Sequence, residues 1–370
     1  MKTGLELELW IVDDEGRLRD CPGFADGHDR IEREFVGPLV EVKTAPHDSE
    51  DALGRDLQRT LRTAIHEAGS HDRQLVPLGT PLTAIAEPAR TERGELFEEI
   101  YGEGVASAKN CAGTHIHFEK GDVRRQLNLL TALDPALALL SSSPYYRGRR
   151  TVNCARALAY RTDCGEAFER YCDLLSYVDS VEEWRARVDD GFREFKSLAA
   201  ERGVPTDDVA ERFEPETTVL NPVRLRRSQP TVEWRAPDSA LPSQVLRLAS
   251  DVRTLVAEAE TKPLDFGTPG VAFDRIGVPE FSTLEELSRE AIRWGLNSGP
   301  VRDYLWSMGF DARAYRPITA QLGGPGRIAE SEARKIRLEY AERLRADVET
   351  LDVTRPSDGV GTTGDPYVHT

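Results

Sequence analysis

The chain has 370 residues, 39% of them hydrophobic and 30% charged, with a formal net charge of -16. This is a globular composition, long enough for one large domain or two modest ones, and it excludes a disordered chain. A uniform acid excess argues against nucleic acid as the main partner, and no apolar run approaches the ~18 to 20 residues that cross a bilayer.

Of the 48 basic residues only Lys2, Lys43, Lys109, Lys120, Lys196, Lys262 and Lys335 are lysine. An acidic, lysine-poor surface suits a protein that stays soluble in high salt; an arginine-rich codon usage gives the same bias. The opening residues lack a basic stretch followed by an apolar one, so the expected location is the cytoplasm. Cys21, Cys111, Cys154, Cys164 and Cys172 are odd in number and form no C-x-x-C pair, so reduced, structural thiols are expected.

In chain order, Leu5 to Val12 alternates at period two and reads as a strand, followed by a turn at Asp13 to Arg17. Pro38 to Thr44 reads as a second strand. Ser49 to Ala68 carries Leu53, Leu57, Leu61 and Ile65 at helical spacing. Gln74 to Leu78 is a short strand, Gly113 to Glu119 alternates again, and Val123 to Ser141 reads as a helix. Cys164 to Ala200 reads as helices with a break, Pro222 to Arg227 as irregular, and Thr231 to Ala236 as a strand. Ser243 to Ala259, Thr283 to Trp294 and Ile328 to Leu351 read as amphipathic helices. The Gly-, Pro- and Thr-rich end reads as a flexible tail over 352–370, after a single domain over 1–351. Gly323, Gly324 and Gly326 surround a proline and lack the Lys-Ser/Thr of a phosphate loop. Strands and helices do not alternate as β-α-β units. The fold class is therefore α+β, a mostly antiparallel sheet with helices packed on one side.

Residues i and i+2 of a strand share a face. Leu5, Leu7, Leu9 and Ile11 then oppose Glu6 and Glu8. Val40 and Val42 oppose Glu41 and Lys43, Ile116 and Phe118 oppose His115, His117 and Glu119, and Val232 and Trp234 oppose Glu233 and Arg235. Any one of these strands alone reads as a water-facing edge. Four of them in one chain point to a shared polar face. Carboxylates gathered there repel unless a cation neutralises them, and magnesium prefers oxygen ligands and keeps phosphate oxygens in its shell. The face thus suits a magnesium–nucleotide, with Arg235 beside the transferred phosphoryl group.

Gly4-Leu5-Glu6-Leu7-Glu8, Val40-Glu41-Val42-Lys43-Thr44, Gly113-Thr114-His115-Ile116-His117, the loop Ser142 to Thr151, Val223-Arg224 and the strand Thr231 to Asp238 occur in this order. Together they resemble the glutamate–cysteine ligase superfamily, in particular its carboxylate–amine ligase branch, with details similar to the versions of salt-loving archaea. The resemblance implies a curved sheet similar to the glutamine synthetase catalytic domain. It implies Glu6, Glu8, Glu41, His115 and Glu233 as ligands of Mg2+, and Arg235 near the transferred phosphate. Arg149, Thr151 and Arg224 match positions expected near ATP or substrate. The reaction it implies is ATP-dependent joining of the γ-carboxylate of glutamate to cysteine through a γ-glutamyl phosphate. The alternatives are a different amine acceptor, or a non-catalytic relative that only binds magnesium–nucleotide. From face and spacing, Glu119 or His117 is the expected acceptor of the amine's proton. The expected partners are ATP, glutamate and cysteine or another amine, with no nucleic acid or membrane and with room for a homo-oligomer. Asn153 to Arg156 departs from the aromatic-rich continuation of the bacterial branch, which leaves the amine open. Glu233→Gln is expected to stop ligation and leave the fold intact.

Overall fold

The central strand β1 (Thr3–Val12) sends Leu5, Leu7, Leu9 and Ile11 into the main apolar core, where each is at most 1% exposed. In the computed structural model, which describes residues 1–83, 91–105, 109–162 and 171–351, six further strands complete an open sheet around it. These are β2 (Ile31–Arg33), β3 (Leu39–Lys43), β4 (Gln74–Val76), β5 (Thr114–Glu119), β8 (Val223–Leu225) and β9 (Thr231–Trp234). The order across the sheet is β2-β3-β1-β5-β9-β8, with β4 continuing the β5 edge of β1. Every pairing in it is antiparallel. A two-stranded hairpin of β6 (Tyr145–Tyr146) and β7 (Arg149–Arg150) lies apart from it.

The register fixes which polar residues meet. Glu8 stands opposite Glu41, Glu6 opposite His115, His117 opposite Glu233, and Arg224 opposite Glu233. A one-residue slip would turn all of these into the core and the leucines out, so burial of the apolar face sets the polar face as well.

The helices α1 (Glu50–Ser70), α3 (Val123–Ala132) and α8 (Pro242–Ala259) pack against the sheet through its core-facing residues. Ser49 starts α1 by accepting from the Ala52 N–H, and Leu53, Leu57 and Leu61 form its buried stripe. Between α1 and α3 lies α2 (Glu92–Tyr101); between α3 and α8 lie α4 (Ala155–Thr162), α5 (Val181–Glu201), α6 (Thr206–Arg212) and α7 (Pro215–Thr218). Phe97 and Tyr101 of α2 meet Phe195 of α5, and both Phe97 and Phe195 meet Phe213 just beyond α6, ring against ring at 5.0 to 5.8 Å. This aromatic knot holds α2 against α5–α7. After α8 come α9 (Phe281–Trp294), α10 (Gly299–Ser307) and α11 (Glu330–Thr350). Tyr340 and Ala341 of α11 join Trp10, Val12, Leu39 and Val76 in a second apolar cluster at the far end of β1.

The helix expected over Val123 to Ser141 ends at Ala132 and resumes as a 3-10 turn over Asp134–Leu140. Pro135 disfavours helical backbone at the residue before it, and the freed Asp134 carboxylate takes both arms of Arg161 at 2.6 and 2.8 Å. Pro222 to Arg227, expected as irregular, contains β8, and β2 carried no sequence expectation. Both are three-residue edge strands, too short for a period to stand out. The four described cysteines are buried. Cys164 and the expected tail over 352–370 lie outside the described residues. No helix among the described residues is long and apolar enough to cross a membrane.

Candidate active site

His115 sits at the middle of the polar face, 2% exposed, with carboxylates from three neighbouring strands around it. Its Nδ1 lies 3.0 Å from Glu6, 3.5 Å from Glu41 and 3.7 Å from Glu233, and its Nε2 lies 3.6 Å from Glu8. On the next pleat His117 Nε2 lies 3.3 Å from the other oxygen of Glu6. Arg235, just past the end of β9, contacts His115 Nδ1 at 3.2 Å and ion-pairs with Glu233. Arg224 holds the same Glu233 with two hydrogen bonds, Nε to Oε2 at 2.7 Å and Nη2 to Oε1 at 2.6 Å. Lys43 reaches Glu41 at 2.7 Å and Glu32 at 2.8 Å.

The charges tune one another. Burial and Arg235 work against a charged His115, yet its carboxylate neighbours, led by Glu41 and Glu6, prevail and push its pKa up to about 9. Burial also opposes ionisation of Glu6, and hydrogen bonds to His115 and His117 overcome it and hold the carboxyl far below its ordinary range. For Glu233, Arg224 and then Arg235 overcome burial in the same direction. At Glu34 burial, then Glu41 and Glu8, outweigh the opposing pull of His115 and push it up to about 8.

These groups open into a cavity of about 540 Å3. Glu6, Glu8, Glu34, Glu41, His115, Arg224 and Arg235 all line it, and α2 and α6–α7 contribute Arg93, Phe97, Arg212 and Thr217. Among the described residues three sets of donor atoms lie within 4.8 Å of one another: Glu6, Glu41 and His115; Glu6, His117 and Glu233; and Glu8, Glu34 and Glu41. Among the described residues the buried Nε2 of His115 has no hydrogen-bond partner. Several carboxylate oxygens fit a hard divalent cation such as magnesium, and a cation there would displace the proton of His115 so that its imidazole could serve as a further ligand.

The structure therefore brings Glu6, Glu8, Glu41, His115, Glu233, Arg224 and Arg235 together. Arg149 and Thr151 are exposed and do not line the cavity; Arg149 makes a backbone bridge to Arg327, and the Thr151 N–H donates to Pro144. Glu119 is exposed at the end of β5 and accepts from the Lys2 N–H at 3.0 Å; neither it nor His117 lines the cavity. The Ser142 part of the same loop is structural. Its N–H donates to the buried Asp238 carboxylate at 2.9 Å, and its hydroxyl accepts from the Gly79 N–H at 2.6 Å.

Glu34, Arg93, Arg156 and Arg226 also line the cavity without having been singled out as site residues. Glu34 follows the three-residue strand Ile31–Arg33, which is too short to show a period. Arg156 explains a glycine: a Cβ at Gly113 would fall 2.2 Å from Arg156 Nη2.

No protein-family model matches the chain. A curated protein of Ruegeria pomeroyi named "putative glutamate–cysteine ligase 2" is 29% identical over 164 residues, 40% of this chain and 42% of that protein. A relative of the same name from Clavibacter michiganensis is 28% identical over 166 residues, again 40% of this chain and 43% of the relative. The matches thus span under half the length of these relatives. The crystal structure of a glutamate–cysteine ligase from Francisella tularensis in complex with AMP superposes with a TM-score of 0.54 at 16% identity, covering 95% of this chain and 82% of that one. The resemblance read from the motifs is thus met by relatives of that name, and the α+β fold with its antiparallel sheet is one that a solved ligase shares.

Proposed function

We propose that this chain is an ATP- and magnesium-dependent carboxylate–amine ligase that joins the γ-carboxylate of L-glutamate to the amine of L-cysteine. The observation that carries the reading is the single imidazole of His115 with Glu6, Glu8, Glu41 and Glu233 at 3.0 to 3.7 Å, beside Arg235, at the wall of a ligand-sized cavity.

A carboxylate is a poor acyl donor because its leaving group would be oxide. Transfer of the γ-phosphoryl group of ATP makes a γ-glutamyl phosphate, from which the attacking amine expels phosphate. Glu6, Glu8, Glu41, His115 and Glu233 would hold magnesium, with Glu34 as a further carboxylate at the same wall. Bound there, the cation screens the repulsion between the triphosphate and the incoming carboxylate. Arg235 supplies a fixed positive charge toward the cavity as the phosphoryl group moves. Arg224 keeps Glu233 ionised and in place through its paired hydrogen bonds.

The test is ADP release with glutamate, cysteine, ATP and magnesium at high salt, leaving out each component in turn. The reading expects release that requires all four. Release that depends on glutamate but is indifferent to cysteine and responds to another amine removes the cysteine assignment and keeps the ligase. Magnesium–ATP bound without turnover under any amine overturns the enzyme.

A further inference from the structure

The cavity wall carries two guanidinium groups that nothing in the proposed metal cluster uses. Arg93, in the first turn of α2, donates Nε to the Arg212 carbonyl at 3.2 Å and Nη2 to the Thr217 carbonyl at 2.9 Å. Its guanidinium carbon lies 5.2 Å from the Phe97 ring centre and 5.1 Å from that of Phe213, so it is backed by apolar surface and pre-set in orientation. Arg226, just past the end of β8, has a buried Nε without any hydrogen-bond partner among the described residues. Among the described residues neither group has a carboxylate within ion-pair distance, whereas Arg224 and Arg235 are both held by Glu233.

We propose that Arg93 and Arg226 form the subsite for the α-carboxylate of an amino-acid substrate, in the same cavity as the His115 cluster. Burial and then the neighbouring Arg226 push the Arg93 guanidinium down from its ordinary value, and the more distant carboxylates of Glu214 and Glu34 offset this only in part. A carboxylate relieves that repulsion and fits the planar fork of a guanidinium with two oxygens. The inference rests on the ligase reading, which places two amino acids, each with an α-carboxylate, in this cavity.

The test uses Arg226→Gln, because Arg93 also ties α2 to α6 and α7. Binding is read by calorimetry in the presence of magnesium and a non-hydrolysable ATP analogue, and KM is read wherever turnover occurs. Glutamate is compared with γ-aminobutyrate, and cysteine with cysteamine; each second compound lacks only the α-carboxylate. In the native protein the carboxylate-bearing member of one pair binds better. In Arg226→Gln that preference falls about 10- to 100-fold, the worth of a hydrogen-bonded charge. Arg226→Lys restores part of it, and nucleotide affinity stays unchanged. Collapse in the glutamate pair assigns the subsite to the donor acid, and collapse in the cysteine pair assigns it to the acceptor. Equal preferences in native and variant protein, or weakened nucleotide binding alone, overturn the proposal. Because binding is read without turnover, a native protein that binds glutamate through Arg226 yet never releases ADP defeats the ligase reading and leaves the subsite standing.

Discussion

Replacing Asp238 by asparagine should make the stability difference between variant and native protein depend steeply on pH. Asp238 is 2% exposed, and burial raises its pKa to about 6 against the opposing pull of Arg156 and the Ser142 N–H. A carboxyl whose pKa is raised by folding is held protonated more tightly in the native state. Its ionisation therefore costs nothing below the unfolded value of 3.8, and the cost builds as pH rises and is complete above about 6. The gap corresponds to about 3 kcal/mol. Asparagine is nearly isosteric, keeps an oxygen for the Ser142 N–H, and does not ionise. Urea unfolding of both proteins, in chelator and at fixed salt, should show the variant gaining about 2.4 kcal/mol on the native protein between about pH 4 and pH 7. Any constant offset from changed packing cancels in that comparison, as does titration of carboxylates common to both. A difference that stays flat with pH would refute the argument, because Asp238 would then titrate alike in both states.

Glu233→Gln should nearly abolish ligation and also lower stability by about 3 kcal/mol, since it leaves Arg224 and Arg235 with a neutral partner; ADP release and a urea melt read the two effects. The expectation of an untouched fold for that variant is thus replaced, because Glu233 is 2% exposed and doubly paired. Magnesium at about a hundred times its dissociation constant should stabilise the protein by about 2.7 kcal/mol in a thermal melt, and sodium chloride at equal ionic strength should not match it. Gly79→Ala should cost about 1 to 3 kcal/mol, because its Cβ would fall 2.6 Å from the Asp238 carboxylate that Ser142 holds in place. The control is Gly69→Ala, where nothing lies within 4 Å and helix propensity favours alanine; equal melting losses in both would discredit the steric argument.

Alternation made the polar face legible. A strand with one buried side exposes its partners in register, so Glu6, Glu8, Glu41, His115 and Glu233 could be placed on one face before any coordinates. Arg224 came only from the resemblance, because Val223–Leu225 is too short to show a period. Glu34, Arg93 and Arg226 were not legible. Glu34 follows a three-residue edge strand, Arg93 sits on a helix whose tertiary contacts aim it, and Arg226 follows β8. Arg149 and Thr151 show the converse. Their loop matches in sequence, yet its Ser142 end is spent bracing Asp238 and Gly79, and its hairpin end is exposed.

The strand order has a consequence for how the protein comes into being. β1 is made first, but its neighbour β5 lies about a hundred residues downstream, and β9 and β8, which carry Glu233 and Arg224, lie beyond residue 222. Until the ribosome has released that stretch, Glu6, Glu8 and Glu41 have neither His115 nor Arg235 to offset their mutual repulsion. Such distant pairings make for slow maturation and a nascent chain with open strand edges, so the yield of active protein should respond to chaperones and to dissolved cations during synthesis.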